Sequence, residues 1–301
     1  PTAGVFVDGL YLGTTFGVVL DTFDLESIEV LRGPQGLLFG RNVTGGAVLI
    51  RNARPNGEYG VRFRVSMTDD DQFNLAALIE GSLIEGTLAA KMVFYYDDDP
   101  GYFEGLVIGR DVGVMTTKLF RPTLVWTPTD TADVTLSFEH GESKGDGAIW
   151  SSVTLQRAGL LGDFTTVADN PGFTEMSWDQ VMMEVNIGEV GNGTLTNIMG
   201  WRRVDADSAT DVDGINLPIF YVPGRTYQHQ FSNEFRWSGS VNDKWDITLG
   251  LYHFDQDITY REGRFIQVVL LRALGGDMQA RNFGVFWNND YHISDNLTIS
   301  A

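Results

Sequence analysis

The sequence predicts an all-β protein dominated by a transmembrane, antiparallel β-barrel. Three observations predict it. Beyond residue 60, apolar residues recur at every second position over long stretches, the period of a strand with one greasy face. The connectors between these runs alternate short and long, as they do when tight turns lie on one side of a membrane and long loops on the other. Ahead of the runs stands a glycine-rich head with a different pattern.

The head centres on Ile28 to Ile50, IEVLRGPQGLLFGRNVTGGAVLI. Alternating Ile28 and Val30 and the apolar run Ala47 to Ile50 predict two short strands. Between them Gly33, Pro34, Gly36, Gly40, Gly45 and Gly46 predict a tightly folded connector. Arg32 and Arg41 lie inside this compact element, where an unpaired charge is costly, so a partner elsewhere in the chain is expected. No helix carrying Lys-Ser/Thr follows, which removes a phosphate-binding reading. Arg51 to Gly60, RNARPNGEYG, reads as a polar linker.

The alternating runs follow in order. Val61, Phe63, Val65 and Met67 oppose Arg62, Arg64, Ser66 and Thr68. Leu88, Ala90, Met92, Phe94 and Tyr96 oppose Lys91, Val93, Tyr95 and Asp97. Val134, Leu136 and Phe138 oppose Asp133, Thr135, Ser137 and Glu139. Val181, Met183, Val185 and Ile187 turn Glu184 to the other face, and Phe231, Phe235 and Trp237 do the same for Ser232, Glu234 and Arg236. Trp245, Ile247, Leu249 and Leu251 alternate with Asp246, Thr248 and Gly250. Phe283, Val285, Trp287, Tyr291 and Ile293 oppose Asn282, Gly284, Asn288, Asp290 and His292. Met115–Thr127 and Thr194–Val204 are mixed strands. Short connectors are expected at 84–86, 127–131, 189–193, 238–243 and 294–296, and long ones at 98–114, 142–176, 207–225 and 261–280. The runs amount to about ten to eleven strands of spanning length.

Composition narrows the function. The formal charge is −19, from 21 Lys+Arg against 40 Asp+Glu, so no nucleic-acid partner is expected. Cysteine is absent, which removes disulfides, thiolate metal sites and cysteine nucleophiles. No run is long enough for an apolar membrane helix. No catalytic motif is present, and no enzyme activity or cofactor is expected. His140, His229, His253 and His292 lack ligand spacing. Asp69–Asp71 and Asp97–Asp99 flank predicted turns and read as solvated strand ends rather than calcium ligands. The chain begins at Pro1 and stops at Ala301 inside a predicted strand, so an interior piece of a longer protein is expected.

Glu29-Val30-Leu31-Arg32-Gly33-Pro34, Leu38-Phe39-Gly40-Arg41-Asn42 and Thr44-Gly45-Gly46-Ala47 resemble the plug signature of TonB-dependent outer-membrane receptors. Val5-Phe6-Val7-Asp8-Gly9 and Phe23-Asp24-Leu25-Glu26 are similar to the preceding plug strand and short helix of that family. The resemblance implies the C-terminal part of a small α+β plug over residues 1–55, then the first half of a barrel of about 22 strands over 56–301. It implies TonB-driven uptake of a scarce, bulky solute across the outer membrane of a Gram-negative bacterium. TonB would engage a segment that precedes the plug and lies outside this chain, and outer-membrane lipid would surround the wall. Ferric siderophore is the leading cargo, with cobalamin, haem or an oligosaccharide as alternatives. A passive porin has no reason to carry the head, and a soluble β-rich binding protein has no need of outward apolar stripes. The resemblance also implies that wall glutamates hold plug arginines, which points to Glu234, then Glu184, as the catch for Arg32. Trp150, Phe164, Phe173, Phe220 and Tyr221 are the loop aromatics placed to meet a ligand, with plug apices near Gly9 to Thr15.

Overall fold

A computed structural model describes residues 3–19, 22–33, 44–267, 269–294 and 297–300. The head forms a small mixed sheet from β1 (Ala3–Val7), β2 (Leu10–Tyr11), β3 (Leu25–Arg32) and β4 (Gly46–Asn52), in the order β2-β1-β4-β3. The pair β1–β4 is parallel and the pair β3–β4 antiparallel, with Arg32 opposite Gly46. Gly46 tolerates that close pairing because a β-carbon there would stand 2.4 Å from the Leu31 carbonyl oxygen. A single 3-10 turn, Thr22–Asp24, enters β3. Pro34, Gly36, Gly40 and Arg41 lie outside the described residues.

From Gly60 onward the chain builds one antiparallel meander. Its strands are β5 (Gly60–Met67), β6 (Phe73–Ile84), β7 (Leu88–Asp99), then β10 (Met115–Thr129), β11 (Ala132–Gly145), β13 (Phe173–Ile187), β14 (Gly193–Asp211), β15 (Phe220–Asn242), β16 (Trp245–Ile266), β17 (Val269–Ser294) and β18 (Leu297–Ser300), an 11-stranded sheet with neighbours in chain order. Three short strands, β8 (Phe103–Gly105), β9 (Arg110–Val112) and β12 (Thr165–Thr166), make a separate sheet at the loop end, beside the short helix α1 (Val153–Arg157).

The period-two pattern explains the wall. Val61, Phe63, Phe94, Leu124, Trp126, Leu136, Leu251, Val285 and Trp287 are exposed on its outer face, a surface that water would not stabilise but lipid does. The opposite face carries buried polar groups, among them Lys91, Glu139, Gln180 and Gln230.

Two expected long loops are not loops. β14 and β15 run up to Asp211 and down from Phe220, leaving a connection of residues 212–219 in place of 207–225. β16 and β17 pair as far as Ile266↔Val269, so 261–280 is a hairpin tip rather than a 20-residue excursion. The reason is backbone satisfaction: a ribbon standing beyond the membrane pairs its N–H and C=O groups strand to strand without needing an apolar stripe. Asp97–Asp99 are the last residues of β7, a strand end as expected. Gln72 and Asn74 donate side-chain hydrogen bonds to Asp97, and the Thr116 hydroxyl donates to Asp98.

Candidate functional site

The inward face of the wall presents its polar groups in register. Glu139 pairs with Gln180, Gln180 with Arg202, Arg202 with Gln230 and Gln230 with Gln256, a rung across β11, β13, β14, β15 and β16. All five are buried. They are buried because the head segment 8–19 lies on them.

At one end of the rung the contacts are ionic. Lys91 Nζ reaches Asp24 Oδ1 at 2.7 Å and Oδ2 at 2.9 Å, and also donates to the Ala53 carbonyl. Arg121 NH1 lies 3.3 Å from Asp24 Oδ2 and donates to Asn52 Oδ1 at 2.6 Å, while its Nε donates to Glu139 Oε2 at 2.8 Å. Asn52 is fixed from the head side, its backbone and side-chain nitrogens donating to Asp8 at 2.8 and 2.7 Å. Trp178 Nε1 donates to the other oxygen of Glu139 at 2.8 Å. Asp24, Lys91, Arg121 and Glu139 therefore each have an opposite charge and further hydrogen bonds, the condition under which a buried charge is tolerated.

Along the rest of the rung the contacts are neutral or backbone. Gly13 N–H donates to Gln230 Oε1 at 2.9 Å, and Gln230 Nε2 donates to the Tyr11 carbonyl at 2.5 Å. The Thr14 hydroxyl donates to Gln228 Oε1 at 2.5 Å. Arg202 donates to the carbonyls of Thr14 and Phe16. Apolar groups fill the gaps: Phe6, Tyr11, Ala47 and Phe254 form one buried cluster, and Leu119, Trp178 and Val204 another. Gly17, at φ +67°, lies so close to Trp178 that a β-carbon would be 2.6 Å from the indole.

The wall glutamates expected to latch Arg32 make ion pairs with wall and linker arginines. Glu234 forms its ion pair with Arg236 on its own strand at 3.2 Å, and Glu184 reaches Arg54 at 3.1 Å. Arg32 is exposed at the end of β3, the edge strand of the head sheet. In the seat described above the head supplies the carboxylate, Asp24, and the wall supplies the cations Lys91 and Arg121. Period two had put Lys91 and Glu139 on the polar face, but strand alternation carries no information about which head residue meets them. The rung was also missed, although the alternating Gln228, Gln230 and Ser232 are a visible sign of it. Of the other signature residues, Gly33 takes φ +82° and donates its N–H to the Gly45 carbonyl at 3.2 Å.

The loop aromatics divide. Phe220 and Tyr221 line a loop-end cavity of about 470 Å³ together with Phe265 and Asp211. Phe164 instead packs against Tyr102 and Phe103, with ring centroids 5.7 and 5.8 Å away. Trp150 is exposed, and its carbonyl accepts the Thr166 hydroxyl at 2.7 Å. Phe173 is the first residue of β13 rather than part of a loop. Nearby, Arg110 clamps Asp146 with two bonds of 2.9 and 2.8 Å, and Gly113 N–H adds a third at 3.0 Å. Burial pushes the Asp146 carboxyl up, but Arg110 and the Gly113 and Val114 N–H groups outweigh it and hold the carboxyl below its ordinary value. Among the described residues no group of three His, Asp or Glu side chains could hold a metal ion. His140 Nδ1 lies 2.7 Å from Asp179 and His292 Nε2 2.9 Å from Asp246.

A mixed sheet seated by buried ion pairs on the inner face of a lipid-facing antiparallel wall defines a plugged β-barrel. Known proteins agree with that class. Residues 1–47 match the family model of the TonB-dependent Receptor Plug Domain. The pesticin receptor of Yersinia pestis is 34% identical over 94 residues, 29% of this chain and 14% of that protein. The ferrioxamine B receptor of Salmonella typhimurium is 34% identical over 95 residues, 26% of this chain and 14% of that protein. The crystal structure of the ferric yersiniabactin uptake receptor FyuA from Yersinia pestis superposes on 100% of this chain with a TM-score of 0.85 at 17% identity, and the match spans 46% of FyuA. Residues 1–47 thus match the plug domain of TonB-dependent receptors, the whole chain shares the fold of such a receptor, and it spans less than half the length of these relatives.

Proposed function

We propose that this chain is the plug end and adjoining barrel wall of an outer-membrane receptor that takes up a ferric siderophore with energy delivered by TonB. The observation that carries the reading is the seat. Asp24, Lys91, Arg121 and Glu139 hold the head against the wall through buried ion pairs, and the Tyr11–Phe16 segment adds backbone hydrogen bonds to Gln230 and Arg202. A barrel stoppered in this way does not conduct passively, so opening it needs work from outside the outer membrane, and TonB is the partner that supplies it. Residues 1–55 are the plug portion and residues 56–301 the wall. The cargo class rests on the named ligands of relatives, ferrioxamine B and ferric yersiniabactin.

Growth under iron limitation tests this. Cells carrying the gene should grow on a ferric siderophore supplied as sole iron source, and cells lacking either the gene or TonB should not. Uptake that persists without TonB would mean a porin. Cobalamin-dependent rather than iron-dependent growth would leave the mechanism standing and replace the cargo.

A further inference from the structure

The loop-end cavity contains a carboxylate with one oxygen that the protein itself does not use. Asp211 ends β14 with 5% of its surface exposed and lines the cavity of about 470 Å³. Its Oδ1 accepts the Asp213 N–H at 3.3 Å, whereas its buried Oδ2 has no hydrogen-bond partner. The 212–219 connection is closed by other groups. Asp213 accepts the N–H groups of Ile215 at 3.1 Å and Phe220 at 2.6 Å, and Val212 N–H donates to the Phe220 carbonyl at 3.0 Å. Asp211 thus gives one oxygen to the turn, and its other oxygen, buried without a donor, is costly.

The surroundings show what kind of group would satisfy it. Asp169 and Asp213 also line the cavity and add negative potential. Phe220, Tyr221 and Phe265 supply ring faces, which attract a cation and cover an apolar body. The volume suits a small molecule. Among the described residues no three carboxylate or histidine side chains are placed for a metal ion, which favours an organic cation.

We propose that this cavity binds the protonated amino group of an organic solute, with Asp211 as counter-ion and Phe220, Tyr221 and Phe265 against the solute's carbon skeleton. Burial, then the neighbouring charges of Asp213 and Asp169, push the Asp211 carboxyl up to about 6, and a bound ammonium relieves that penalty. Identifying the amine with transported cargo rests on the uptake reading above, whereas the binding does not.

The test uses the full-length receptor in detergent, with benzylammonium as probe and benzyl alcohol and benzoate as controls of the same shape, followed by titration calorimetry at neutral pH. Benzylammonium is expected to bind at least roughly tenfold more tightly than benzyl alcohol, with no binding of benzoate. Asp211→Asn should abolish the preference for the cation while heat-modifiable gel mobility stays that of the parent. Should that variant misfold, Phe265→Leu serves instead: it should weaken both probes, the cation more than the alcohol because the ring face that attracts it is lost, and unchanged binding of both overturns the proposal. Equal binding of the amine and the alcohol overturns the proposal, as does displacement of benzylammonium by calcium at concentrations that leave ionic strength unchanged. Amine binding that survives loss of TonB-dependent growth removes the uptake reading alone. TonB-dependent growth without amine binding removes the cavity proposal alone.

Discussion

Lys91 and Arg121 both reach Asp24, so removing that one carboxylate strands buried Lys91 and leaves Arg121 paired with Glu139 alone. Asp24→Ala should therefore destabilise the seat by ~3–5 kcal/mol, mostly through the orphaned Lys91 charge. Hydrogen exchange over residues 3–19 would report it as faster opening. Adding Lys91→Met should recover part of the loss, and strictly additive effects of the two changes would show that the pair is not coupled. Gly17 is the steric counterpart. Its positive φ and the nearby Trp178 ring leave no room for a methyl group, so Gly17→Ala should expose 8–19 to protease while the wall keeps its strands. Neither residue stands out in the sequence. Asp24 is one of 40 acidic residues, and only the fold brings it to Lys91, 67 positions away.

The paired extensions of β14 to β17 beyond the membrane make a measurable distinction. If 261–280 is a hairpin tip, amides on both sides of it should exchange slowly, up to Ile266 and from Val269. A flexible loop there would exchange within the first time point. The β8–β9 hairpin is tied down by Asp146, whose carboxyl is held below its ordinary value. A lowered carboxylate contributes stability above its unfolded pKa and loses it as pH falls through the folded one. Acid should therefore release this hairpin, seen as faster proteolysis near Arg110, with the onset below the ordinary carboxylate range. Asp211 shows the opposite sign. Its carboxyl titrates near about 6, facing Asp213 on its own connection, Asp169 on the loop before β13 and Tyr221 on β15. Benzylammonium affinity should rise as pH climbs through that value and fall below it.

For the molecule as a whole, the exposed band of Phe63, Phe94, Trp126, Leu136, Leu251, Val285 and Trp287 predicts partition into the outer-membrane fraction and heat-modifiable mobility of the intact gene product. Recovery in the soluble fraction would contradict the lipid-facing wall. The sequence by itself determined the class: strand period two chose the two faces, and the alternation of connector lengths chose an antiparallel meander. Both are local signals, because a strand's faces follow from its own residues and a turn from a few neighbours. The glycine-rich head was likewise legible as a strand–connector–strand. What the sequence misjudged or could not reach was non-local. Strand ends at 207–225 and 261–280 were read as loops, because above the membrane a ribbon needs no apolar stripe and only pairing marks it as strand. The sequence pointed to Arg32 and Glu234, and tertiary packing places Asp24 between Lys91 and Arg121, and Gln230 under Gly13. Which head residue meets which wall residue depends on how two sheets dock, and docking is decided by shape and charge between residues far apart in sequence, from 67 positions for Asp24 and Lys91 to 217 for Gly13 and Gln230.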